Sequence, residues 1–77
     1  MTISARDWID RYAAALGVAA PTEEEVATLL DAAGVASHAS ERTAAPVSCW
    51  LAATAGLTPA EALAAAEGLV ASLPEAS

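Results

Sequence analysis

Ser37-His38-Ala39-Ser40-Glu41-Arg42-Thr43-Ala44-Ala45-Pro46-Val47-Ser48-Cys49-Trp50-Leu51 contains the chain's only histidine, its only cysteine and one of its three arginines. The stretch reads as the end of one helix, a short corner and the start of another. Proline suits a first helical turn, where its missing N–H is not needed, so Thr43-Ala44-Ala45-Pro46 opens the second of these helices. Val47, Trp50, Leu51 and Thr54 then recur at three- and four-residue spacing. That spacing predicts a core-facing side, with Trp50 buried against Trp8, Tyr12 or the preceding helix.

Toward the N-terminus, the helix that enters this corner begins at Thr22-Glu23-Glu24-Glu25. This is a capping box, and it places three carboxylates at the positive end of the helix dipole. Val26, Leu29, Leu30 and Ala33 give the helix an apolar side, and the pattern runs on to about Ser40 despite Gly34, which either allows close helix contact or marks a break. Before it, Ser4-Ala5-Arg6-Asp7 has the spacing of a helix start. Trp8, Tyr12 and Leu16, with Ile9 beside them, form an aromatic-rich stripe expected on the core side, and Gly17 ends the helix. Toward the C-terminus, Gly56 closes the helix that carries Trp50. Thr58-Pro59-Ala60-Glu61 then combines a threonine cap, an N1 proline and a glutamate at N3. Leu63, Ala66, Leu69, Val70 and Leu73 follow, and Pro74 stops the helix before a short frayed tail. The expected helices span about 4–16, 23–40, 46–55 and 59–73. With short loops and one apolar stripe each, they predict an all-α fold: a small, mainly antiparallel four-helix bundle forming one domain over 1–77, ordered from about 4 to 73.

Composition narrows the function. Ten acidic residues stand against three arginines and no lysine, for a formal charge of -7. That balance opposes the electrostatic attraction on which nucleic-acid and anionic-membrane binding rest, so neither is expected as a partner. Hydrophobic residues make up 56% of the chain, but much of this is alanine, which signals helix propensity and close packing. The longest apolar run, from Tyr12 to Pro21, is well short of the roughly 20 residues that cross a bilayer. Arg6, Asp7, Asp10 and Arg11 stand where a signal peptide would have its apolar region, and a lone Cys49 cannot staple the fold. Together these predict a cytoplasmic protein.

Chemistry has few places to reside. A cysteine nucleophile would need His38 near Cys49 and a carboxylate behind it, but Cys49 beside Trp50 on an apolar helix reads as a small buried hydrophobe. One histidine and one cysteine do not complete a closed metal site at any spacing present here. No catalytic residue, cofactor or metal is therefore expected. Acyl and peptidyl carrier proteins share the size, acidity and helix count. They carry phosphopantetheine on a serine in an Asp-Ser-Leu-like sequence at the second helix, whereas this helix begins Thr22-Glu23-Glu24-Glu25 and the chain contains no Asp-Ser. The distinctive polar residues are His38, Glu41, Arg42 and the nearby Pro46, candidates either for fixing the corner or for meeting a partner. His38 and Arg42 suit the negative end of a helix dipole, but Glu41 does not. Its carboxylate is expected to bond free N–H groups at the start of the next helix or to pair with Arg42 or Arg11.

Asp7-Trp8-Ile9, Ala15-Leu16-Gly17, Leu29-Leu30-Asp31 running to His38, and above all His38-x-x-Glu41-Arg42-x-Ala44-Ala45-Pro46 resemble a small uncharacterised actinobacterial helical domain. That family occurs alone and as a C-terminal appendage to molybdenum-cofactor guanylyltransferases, often near formate dehydrogenase accessory proteins. The resemblance covers about residues 7–73. The chain departs from the family's pattern with Thr43, where proline or lysine is usual, and with Trp50, where phenylalanine is expected, so a partner surface would differ in detail. The resemblance implies a context, molybdenum-cofactor or molybdoenzyme maturation, and a protein partner from that context. It does not imply catalysis. The expected function is thus a non-enzymatic accessory or protein-interaction domain, with which a homodimer is compatible. The competing reading is a small-ligand-binding domain with a pocket near Trp8, Trp50 and His38.

Overall fold

The computed structural model describes residues 2–74. Four α-helices occur among them and no strand: α1 at Ala5–Leu16, α2 at Glu23–Ala39, α3 at Ala44–Thr54 and α4 at Pro59–Ser72. The tail expected after Pro74 lies outside the described residues. Three helices begin where side-chain chemistry places them. The Ser4 hydroxyl accepts the Asp7 N–H at 3.1 Å, and reciprocal capping boxes form between Thr22 and Glu25 and between Thr58 and Glu61. Each box satisfies donors that the first turn leaves free. Gly17 and Gly56 take left-handed φ values of 72° and 78°, and the amides of Val18 and Leu57 bond back to Ala13 and Ala52 to close α1 and α3.

α2 is the floor of the molecule. Both α3 and α4 pack along it, whereas α3 and α4 form no comparable interface with each other, so an open groove runs between them. α1 has no such interface with any helix. Its tie to the remainder is the Arg6 guanidinium, whose Nη2 donates to the Pro21 carbonyl and to Asp10 Oδ1, each at 2.7 Å. A bond from the first turn of α1 to the residue just before α2 requires the segment 17–21 to return along α1. Pro21, just before the cap of α2, is therefore held beside the first turn of α1. The long axis of the molecule measures 43 Å, against about 25 Å for α2, the longest helix.

The core differs from the one expected. Its buried residues are Ala13, Ala32 and Ala62, each still 6–8% exposed, with no large side chain among them. Trp50, expected inside, is 72% exposed, and Trp8, Tyr12 and Leu16 are each more than half exposed. On α3 the helix is turned so that Ser48, Cys49 and Ala52 face inward and Val47 and Trp50 face solvent. Small residues let helix axes approach closely, and a close approach leaves no room for an indole between them. Gly34 does not break α2, and a methyl group built there would meet nothing within 4 Å.

Two measurements check this description. Gly34→Ala removes the helix-interior glycine without a clash, so it is expected to raise stability by about 0.5–1 kcal/mol in urea denaturation. Thr58→Ala, which opens the capping box of α4, is expected to lower it by about 1 kcal/mol, a fall of several degrees in Tm for a domain this small. A midpoint that falls in Gly34→Ala would show that something covers this part of α2.

Candidate functional site

The corner between α2 and α3 holds all four residues singled out in the sequence. His38 lies in the last turn of α2, Glu41 and Arg42 in the connecting turn, and Pro46 in the first turn of α3. All four are exposed. The structure corrects the expected role of Glu41. Among the described residues its carboxylate makes no hydrogen bond and no ion pair, and the first turn of α3 has no side-chain cap. The turn is closed by main chain instead: the Glu41 carbonyl accepts the Ala44 N–H at 2.9 Å and the Arg42 carbonyl accepts the Ala45 N–H at 3.2 Å. These bonds start α3 two residues earlier than the proline signal suggests, with Pro46 still in the first turn, where its missing N–H is not needed. Glu41 and Arg42 are thus left with both charges in solvent.

Next to this corner, Pro46, Val47 and Trp50 occupy the outer side of α3 at three- and four-residue spacing, all exposed. An exposed indole thus stands on the helix that leads out of a corner carrying an exposed glutamate and arginine. The spacing of Val47, Trp50, Leu51 and Thr54 predicts the wrong inward side, because only Ser48 and Thr54 interrupt an otherwise apolar α3 and the spacing there does not fix its orientation.

Two cavities flank α2. The first, about 440 Å³, is the groove between α3 and α4, and its walls are almost wholly apolar, with Val35, Leu51, Ala66 and Leu69 among them. Cys49 lines it. The second, about 630 Å³, is shallower and lies between α2 and α4, where His38 shares the wall with Asp31 and Glu67. His38 and Cys49 thus line different cavities, and Trp8 and Trp50 line neither. The pocket expected near Trp8, Trp50 and His38 is therefore not assembled in either cavity. Among the described residues no group of histidine, cysteine and carboxylate side chains is placed to hold a metal ion. No helix among them is long and apolar enough to cross a membrane.

The profile of a domain of unknown function, DUF6457, matches residues 2–77. The chain belongs to the DUF6457 family. No curated protein and no solved structure matches it. The match spans every residue of the corner, the outer side of α3 and the apolar groove, so all three are features of this DUF6457 domain and none lies on an appended segment.

The corner yields a direct test of its energetics in this DUF6457 chain. Glu41→Ala and Glu41→Gln are expected to leave the urea midpoint unchanged within about 0.5 kcal/mol, as for surface positions with no partner. Trp50→Ala is expected to behave the same way, and not to cost the roughly 3–5 kcal/mol of a core aromatic. A large loss in Trp50→Ala would place the indole in a packed interior.

Proposed function

We propose that this chain is a non-enzymatic, cytoplasmic protein-interaction domain that presents the outer side of α3 and the adjoining corner to a protein partner. The observation that carries the reading is Trp50, 72% exposed on the short helix that follows the exposed Glu41 and Arg42. Tryptophan and arginine dominate the energetic centres of protein interfaces, because each offers a large contact area with a directional polar group. A net charge of -7 favours a protein over a nucleic acid as the occupant. The resemblance described above supplies the biological context: a molybdenum-cofactor guanylyltransferase, or an accessory protein of molybdoenzyme maturation such as that of formate dehydrogenase.

The test is binding of the purified chain to candidate proteins of that pathway, followed by calorimetry with Arg42→Glu and Trp50→Ala. Each substitution is expected to weaken the complex at least tenfold, about 1.4 kcal/mol, while circular dichroism shows the helices retained. Absence of binding to any of these proteins, or binding indifferent to both substitutions, refutes the reading.

A further inference from the structure

The molecule leaves two apolar surfaces uncovered that do not touch each other. One is the face of α1 formed by Trp8, Tyr12 and Leu16, in which the Trp8 and Tyr12 rings stack at 5.8 Å with planes 14° apart. The other is the groove between α3 and α4. The rest of the chain is open to match. Its accessible surface is 5977 Å², against about 4,300 Å² for a compact monomer of 7.7 kDa. Its radius of gyration is 13.8 Å, against about 11.5 Å for a compact chain of this length. The excess surface, about 1,600 Å² per chain, is about twice the ~800 Å² that each partner buries in a standard interface.

We infer that the groove receives α1 of a second copy, and that two chains exchange their first helices reciprocally. The fit is one of shape, length and charge. Three helices with a trough between two of them are a four-helix bundle lacking one member, and a 12-residue α1, about 18 Å long, matches the neighbouring helices in length. The chain's own α1 is held elsewhere: it forms no interface comparable to those of α3 and α4 with α2, and none of its residues lines the groove. An isolated helix this short is marginal in water, so the stacked face of α1 needs a surface on which to dry. Charge permits the exchange. α1 carries Arg6 and Arg11 against Asp7 and Asp10 and is neutral, while the remainder of the chain, with Arg42 its single cation, carries the full -7. Arg11 has no ion-pair partner among the described residues. A neutral helix carrying a free arginine meets no net like charge when it approaches the acidic body of the second copy.

The same arrangement forms an isologous dimer, in which each α1 fills the partner's groove and each groove receives the partner's α1. Sedimentation of the full chain over a wide concentration range is expected to give the mass of two chains. Tyr12→Glu and Leu69→Glu alter exposed positions, one on α1 and one on the groove wall, and each alone is expected to yield a helical monomer. Mixed, they are expected to recover a dimer, since one intact α1 then meets one intact groove. Tyr12→Cys places a thiol opposite the native Cys49. Mild oxidation is expected to give a two-chain band on a non-reducing gel, with the dimer mass lost on reduction. A faster-running single chain would mean that α1 fills its own groove, and a monomer of unchanged mass in all variants would mean that neither surface pairs; either result overturns the inference. The Trp50 and Arg42 surface lies outside this contact, so its partner binding is read separately and can stand or fall alone.

Discussion

Alanine packed against alanine is the constraint from which the rest of this structure follows. Ala32 on α2 and Ala62 on α4 are buried, and the inward side of α3 continues in Ser48, Cys49 and Ala52. A buried methyl group contributes about 0.8 kcal/mol, against 1.5–3 kcal/mol for a buried leucine or phenylalanine. A three-helix layer built this way is close-packed and weakly held. Large apolar side chains such as Leu30, Trp50, Leu51 and Leu69 stand exposed at its rims. Helix ends then matter more than usual. Two full capping boxes and a serine cap supply, through local hydrogen bonds, stability that a larger core would supply through burial.

Charge acts on the same balance. Eight carboxylates against one arginine outside α1 make the compact state repel itself. Part of that charge is put to structural use, since Glu25 and Glu61 close capping boxes and Glu23 and Glu24 lie at the positive end of the α2 dipole. Asp31 and Glu67 instead face the shallow cavity beside His38. The distribution leaves α1 and α3 without net charge, and α1 carries the uncovered stacked aromatic face.

The helix boundaries were legible in the sequence because they are written in local chemistry. Thr22 with Glu25, Thr58 with Glu61, and the left-handed glycines at 17 and 56 each act within a turn of their own position, and α1, α2 and α4 match the expected spans to within a residue at each end. The orientation of the helices was not legible in the same way. On α3, apolar residues surround the axis, so periodicity cannot say whether Trp50 or Cys49 faces inward; close contact between alanines decides it. On α1 the stripe of Trp8, Tyr12 and Leu16 is unambiguous, but periodicity reports which face is apolar and not which chain covers it. Glu41 misled for a related reason. Its misfit at the end of α2 is real, yet main-chain bonds from its own carbonyl and that of Arg42 close the turn, and the carboxylate is not used.

α3 is where these threads meet. Trp50 and Leu51 are neighbours in sequence, about 100° apart around the helix, and they belong to different surfaces. Leu51 turns into an alanine- and leucine-lined groove with almost no polar group, the composition of an interface that stays closed and resembles a domain core cut in two. Trp50 turns outward on the helix that follows the exposed Glu41 and Arg42, and an aromatic anchor with a charged rim is the composition of an interface that opens and closes. A helix of 11 residues can serve both because its own fold needs neither side chain; close packing of Ser48, Cys49 and Ala52 against α2 is enough to hold it. The small core leaves this domain open on two sides, and for the same reason it leaves two sides free for recognition.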